Sequence, residues 1–128
     1  MTKRIFFVVN HASFFVSHRL QIAIEAKNQN YDVVILFGKP SSMKTEPIAI
    51  NKIIDSKIKF IKLNFNNQKM YRFLDLIGLL QLFFFVIKYK PNIIHSVSPI
   101  ANLIAGMVAI FFRNLLLVVS ISGMGYIF

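Results

Sequence analysis

The sequence predicts an α/β protein, a Rossmann-like doubly wound parallel sheet of about five strands. Short runs rich in β-branched and aromatic residues recur along the chain, and helical patterns separate them. Most of these runs are apolar at successive positions, as expected of strands covered by helices on both faces.

The strand candidates are Arg4 to Val9, Tyr31 to Phe37, Lys57 to Phe65, Asn92 to Val97 and Leu115 to Ile121. The first, second and fifth are apolar at successive positions, as expected where helices cover both faces of a parallel sheet. Lys57 to Leu63 alternates Lys with Ile, Phe and Leu, and alternation marks an edge strand. Ser17 is the expected cap of a helix through Leu20, Ala23, Ile24 and Lys27, stopped by Asn28 to Asn30. A polar connection from Lys39 contains Pro47 and leads to a short helix near Ile48 to Ile54. Met70 to Tyr89 carries the strongest helical signal and ends at Lys90-Pro91. Pro99 fits the first turn of a further helix reaching Phe112.

A chain of 128 residues is one domain by length and can bury a core. With 55% hydrophobic residues it is not disordered. The absence of cysteine excludes disulfides and thiolate metal sites. The run Ile5 to Val9 is too short for the apolar region of a signal peptide. The net charge of +10 comes mostly from scattered Lys, with no Arg-rich stripe and no nucleic-acid-binding module, so no nucleic-acid partner is expected. Two readings of that charge remain: attraction to an anionic inner-membrane leaflet, and an AT-rich coding bias that supplies Lys, Ile, Asn and Phe together.

A membrane-spanning reading also has to be met. Ile93 to Ile121 is apolar apart from His95, Asn102, Arg113 and Asn114, but its longest uncharged stretch contains Pro99, Asn102 and Gly106 and is marginal against the roughly 20 residues that cross a bilayer. In the long helix the few polar residues, Arg72, Asp75, Gln81 and Lys88, are read as one narrow stripe on an otherwise apolar surface. A helix on one sheet face needs an apolar arc of only about 100°. Some of this surface is therefore expected to meet a second domain, a partner chain or a membrane.

In an open parallel sheet, ligands bind beyond the carboxyl ends of the strands, where the strand order reverses. Three segments occupy such positions. After the first strand, Asn10, His11, Ser13, Phe14, His18 and Arg19 form a loop rich in donors and aromatics that runs into a helix N-terminus, an arrangement that favours anions. No G-x-G-x-x-G is present. His95, Ser98 and Asn102 follow the fourth strand, and Gly123, Met124 and Gly125 follow the fifth, where glycine lets backbone approach a ligand. The five acidic residues, Glu25, Asp32, Glu46, Asp55 and Asp75, form no paired-carboxylate or metal-ligand pattern, so no metal is expected.

In order, the segments FFVVNHASFFVSHRLQIA, KPNIIHSVSPIANLIAG and VVSISGMGYIF resemble the N-terminal domain of family-four, GT-B-fold retaining glycosyltransferases over essentially the whole chain. The resemblance implies the acceptor-side domain, residues 1–128, of an enzyme that moves a sugar from a nucleotide-sugar co-substrate to a lipid-linked cell-surface glycan such as lipopolysaccharide, capsule or a glycoprotein glycan. It places the Asn10 to Phe15 loop and Gly123 to Gly125 at the interdomain cleft. Many relatives carry a second histidine two residues after the one matching His95, against the transferring sugar; here that residue is Val97. The acidic and basic residues that hold the donor belong to a second domain that follows in relatives. The chain alone is therefore expected to be an incomplete first domain, inactive in transfer, that works with a C-terminal donor-binding domain or partner chain. The alternative is a non-catalytic, membrane-associated subunit of a separate donor-binding chain. Either is expected in the cytoplasm, peripheral on the inner face of the cell membrane.

Overall fold

A computed structural model of the chain describes residues 3–38, 45–64 and 72–120. The elements run β1 (Arg4–Val9), α1 (Ala12–His18), α2 (Leu20–Asn28), β2 (Asp32–Phe37), α3 (Glu46–Asp55), β3 (Lys59–Lys62), α4 (Arg72–Tyr89), β4 (Ile93–Val97), α5 (Pro99–Ala109) and β5 (Leu116–Ser120). All strand pairs are parallel, in the order β3-β2-β1-β4-β5. The fold is the expected Rossmann-like doubly wound sheet.

Strand alternation sorts the core into two layers. Ile5, Phe7, Val9, Val33, Ile35, Phe37 and Val97 project to one face, where α1, α2 and α3 cover them. Phe6, Val8, Val34, Leu36 and Ile94 project to the other, under α4 and α5. β1 is central, so its side chains are buried on both faces and its sequence is uniformly apolar. β3 is an edge, as its alternating lysines indicate.

The fifth strand departs from expectation. Its apolar run predicted cover on both faces, yet among the described residues β5 is the opposite edge of the sheet, and Leu116, Val118 and Val119 are exposed. Among the described residues no helix covers it on the α2 side. Apolar continuity records what a strand is suited to lie beneath, not what lies above it.

The helix boundaries also move. The expected cap at Ser17 lies inside α1; the chain becomes helical at Ala12, because the His11 side chain accepts a hydrogen bond from the Phe14 amide. Arg19, at φ −130° and ψ −8°, then breaks the path, so α1 and α2 are separate helices and His18 ends a helix instead of opening one. α3 begins at Glu46, two residues ahead of Ile48, with Pro47 in its first turn. The third strand starts later than expected, at Lys59, because Lys57 adopts a left-handed φ of 58°; it ends at Lys62, and Phe65 lies outside the described residues.

The polar positions of α4 do not form one stripe. Seven residues nearly complete two turns, which puts Gln81 and Lys88 on one face, but nine residues make two and a half turns and put Arg72 opposite Gln81. Gln81 Oε1 accepts from the Asn64 amide at 2.7 Å. Leu76, Leu80, Phe84 and Ile87 form a separate exposed apolar row. The apolar stretch after residue 93 divides into β4, α5 and β5, and no helix of the described residues is long and apolar enough to cross a membrane.

Candidate functional site

The sheet order places the site. From β1 the chain winds outward through β2 to β3, then returns to the far side of β1 for β4 and β5. The reversal sets the carboxyl ends of β1 and β4 side by side, where no single crossover covers both, and such a switch point is where sheets of this kind form their ligand crevice. Asn10 and His11 leave β1 on one wall, Val97 and Ser98 leave β4 on the other, and β5 ends beside β4 at Ser120.

On the β1 wall, Asn10 is buried and its Oδ1 accepts from the His11 amide at 3.1 Å. The expected anion-attracting helix end is already occupied by the chain itself. Glu46, only 8% exposed, accepts from the amides of Ala12 at 2.9 Å and Ser13 at 2.7 Å and from Ser13 Oγ at 2.8 Å. Glu46 also stands in the first turn of α3, so one carboxylate serves the positive ends of two helices. This corrects the expectation of an open anion site at α1. The sequence signal for Glu46 was the helix start Thr45-Glu46-Pro47, but nothing local connects it to a segment more than thirty residues earlier. Ser13 is thereby a structural partner of α3, reinforced by Thr45 Oγ1 at 3.0 Å. Phe14 stacks on His18, with ring centroids 4.4 Å apart, and forms an aromatic ledge of α1.

On the β4 wall, His95 stacks on Phe7 at 5.2 Å and shares a 2.8 Å hydrogen bond between its Nε2 and Ser120 Oγ. Ser96 Oγ, on the opposite face, donates to Asn102 Oδ1 at 2.7 Å, and Asn102 Nδ2 donates to the Ser120 carbonyl at 3.1 Å. Asn102 thus ties the first turn of α5 to the ends of β4 and β5. Ser96 and Ser120 were not singled out in the sequence, because nothing local to either points to its partner.

Ser98 has φ 89° and ψ 152°, a backbone region nearly confined to glycine, and costs about 1–3 kcal/mol to hold. It is 4% exposed, and its Oγ has no hydrogen-bond partner among the described residues. Its backbone carbonyl opens α5 by accepting from the Asn102 amide at 2.8 Å. Arg19 lies close enough to His95 to influence its charge, and its Nε is likewise buried without a partner. Gly123, Met124 and Gly125 fall outside the described residues.

Both crevice histidines are held neutral. Burial lowers the pKa of His11 below the ordinary value of 6.5, and the nearby Glu46 carboxylate opposes this only in part. Its Nδ1 accepts from the Phe14 amide, so the 4.0 Å approach to Glu46 is no ion pair while the ring is neutral. Burial lowers the pKa of His95 too, aided by the Arg19 charge. A lowered folded-state value means that the unfolded chain takes up the proton first as pH falls. The stability these rings contribute is therefore complete above pH 6.5 and declines below it, toward each ring's lowered folded-state value. The urea midpoint is expected to fall between pH 6.5 and 5. A His11→Asn/His95→Asn variant, which keeps a capping side chain, should lose most of that slope; an unchanged slope would mean that other groups govern it.

The sequence that builds this arrangement matches a family model over nearly the whole of this chain. Residues 4–128 match the family model described as glycosyl transferase 4-like. The chain belongs to this family. No curated protein sequence is significantly similar to this glycosyl transferase 4-like chain. Its fold is shared with a solved glycosyltransferase from Rickettsia africae, at TM-score 0.66 and 18% identity over 92% of this chain and 29% of that one. It is also shared with MurG from Acinetobacter baumannii, at TM-score 0.71 and 12% identity over 93% of this chain and 35% of that one. The glycosyl transferase 4-like chain thus spans about a third of each of these proteins, and the resemblance to GT-B glycosyltransferases read from the sequence is confirmed at the level of family and fold.

Proposed function

We propose that residues 1–128 form the acceptor-side part of a glycosyltransferase that transfers a sugar from a nucleotide-sugar to a lipid-linked cell-surface glycan at the inner face of the membrane. The supporting observation is the polar cluster at the strand-order reversal, where His95, Asn102 and Ser120 are linked through hydrogen bonds to Ser120 in a glycosyl transferase 4-like chain. Neutral imidazole and amide groups suit hydroxyl-rich ligands, since each can donate or accept without a charge to desolvate. Among the described residues the site offers no carboxylate pair to stabilise a developing sugar cation. Glu46, the one acid there among the described residues, is committed to α1 and Ser13.

The role proposed for this chain is to bind and orient the acceptor. Stabilising the charge that develops on a departing diphosphate needs preorganised cationic or N–H groups, and in this reading they come from a donor-binding domain or partner chain. With Val97 in place of a second histidine, His95 positions the acceptor without touching the reacting centre.

The test is a pair of NMR titrations on the chain, one with a short-chain polyprenyl-diphosphate-linked sugar and one with nucleotide-sugars. The acceptor analogue is expected to shift the amides of His11, Val97 and Asn102, and the nucleotide-sugars to leave them unmoved. No sugar transfer is expected from the chain alone. Absence of any acceptor shift at those residues, or transfer without a second chain, would sink the proposal. A second reading, a non-catalytic subunit, is favoured by the exposed apolar rows of α4 and α5. In that case a separate donor-binding chain should bind this one and transfer sugar at the same rate whether His95 and Asn102 are intact or replaced.

A further inference from the structure

We propose that Arg19 selects an acceptor that carries a sugar acid, whose carboxylate takes the unpartnered Nε edge of the guanidinium beside His95 and Ser120. The inference rests on the acceptor-side reading above and adds to it the charge of the sugar recognised.

The break between α1 and α2 fixes the position of Arg19. Its amide donates to the Phe15 carbonyl at 2.7 Å and closes α1, and its Nη1 donates to the His18 carbonyl at 3.0 Å. Phe15 meets Phe7 edge-on, and Phe7 carries the His95 ring on its face. These contacts bring the arginine over the β1 and β4 side of the sheet, where its charge reaches His95. With Nη1 held by backbone, the edge formed by Nε and Nη2 is the part left for a ligand. Nε is buried and has no partner among the described residues.

A buried N–H of a cation with nothing to receive it is costly, and the chain holds no acid to meet it. Its five carboxylates are placed elsewhere. Asp32 pairs with Arg4 at 2.7 Å, Glu46 holds the start of α1, and Glu25 accepts from Gln29. Asp55 ends α3 at the amino ends of the strands, and Asp75 belongs to α4 on the opposite face of the sheet. The anion that completes Arg19 therefore comes from outside the chain.

The rest of the rim decides which anion. His95 is neutral, and Ser120 and Asn102 carry no charge. Lys90 and Arg113 line a pocket at the amino ends of the strands, away from this rim. The α1 helix end is filled by Glu46, and α5 opens on Pro99, which has no N–H to give. A phosphate monoester, with nearly two charges and three strong acceptor oxygens, would meet a single guanidinium edge. A carboxylate spreads one charge over two coplanar oxygens and matches that edge in both charge and shape. Beside it stand groups suited to a sugar ring. His95 Nε2 and Ser120 Oγ lie 2.8 Å apart, and Ser98 Oγ, buried at the start of α5, has no partner among the described residues. Each can donate to or accept from a ring hydroxyl.

The experiment is an NMR titration of the full chain with methyl β-D-glucuronide, methyl β-D-glucoside and inorganic phosphate, read at the Arg19 Nε–H and the His95 ring. The glucuronide is expected to shift the Arg19 Nε–H and to bind at least about tenfold more tightly than the glucoside, the gain of one hydrogen-bonded charge pair. Phosphate is expected to bind more weakly than the glucuronide. At saturation His95 should titrate higher with the glucuronide than with the glucoside, because the carboxylate offsets the Arg19 charge that helps to lower its pKa. Arg19→Gln should abolish the preference for the glucuronide, and Arg19→Lys, which keeps the charge without the fork, should retain a smaller one. If Arg19→Gln fails to fold, the Nε–H and His95 readouts of the native chain decide.

Equal affinity for the two glycosides, an Arg19 Nε–H unmoved by the glucuronide, or a preference that survives Arg19→Gln would overturn the proposal. Phosphate bound at Arg19 as tightly as the glucuronide would overturn it too, since the group recognised would then be a phosphate. A neutral lipid-linked sugar that shifts His11, Val97 and Asn102 while the glucuronide leaves Arg19 unmoved would keep the acceptor reading and remove the carboxylate. Glucuronide preference with no shift from the lipid-linked sugar would remove the transferase reading and leave the sugar-acid site standing.

Discussion

Glu46→Ala is expected to destabilise the chain by about 3 kcal/mol in urea denaturation. The Glu46 carboxylate accepts three hydrogen bonds from Ala12 and Ser13, and hydrogen bonds to a charged group contribute about 1.5–3 kcal/mol each before water replaces part of the loss. Truncation leaves two amides at a largely buried helix end with nothing to receive them, while the Ser13 hydroxyl keeps only Thr45 Oγ1. Glu46→Gln should fall between native and Glu46→Ala, because its amide keeps one acceptor but turns a donor toward donors. Hydrogen exchange localises the effect: the Ala12 and Ser13 amides should exchange faster, while those of Val33 and Leu36 should follow global stability alone. A loss below about 1 kcal/mol with unchanged exchange at Ala12 and Ser13 would show that the carboxylate does not hold α1.

Phe7→Ala should cost still more, about 3–5 kcal/mol, as for other large aromatic deletions from a closed core. Phe7 is 1% exposed, meets the Phe15 ring edge-on at 5.5 Å, and carries the His95 ring on its face. Its removal should let water reach His95 and move that pKa back up toward 6.5, since burial is the main cause of the depression. Phe6→Ala is the matched control. Phe6 is equally buried but faces α4 and α5, so its loss should cost a similar amount and leave the His95 titration unmoved. If both variants shift His95 alike, its environment is set by overall looseness and not by the ring beneath it.

These cases show why some features were legible in sequence and others were not. Runs such as Phe6-Phe7-Val8-Val9 announce a covered strand, because backbone groups without water need a ladder and apolar side chains on both faces need cover. The lysine alternation of the third strand announced an edge for the converse reason. Asn10, His11 and Asn102 were found because strand ends in such sheets are where polar side chains converge. Glu46, Ser96 and Ser120 were not, since their partners lie 6 to 34 positions away and no local spacing encodes that distance.

The sequence by itself determined that this chain alternates strand and helix, that its strands pair in parallel, and which ends of them carry polar groups, because these follow from periodicity and from residues adjacent along the backbone. Only the tertiary structure decided that β5 lies at an edge, that the α1 helix end is filled by an internal carboxylate, and that Lys90 and Arg113 line one pocket. Those outcomes depend on which distant segments share a surface. That is settled by the order in which strands lie side by side, not by the chemistry of any one segment.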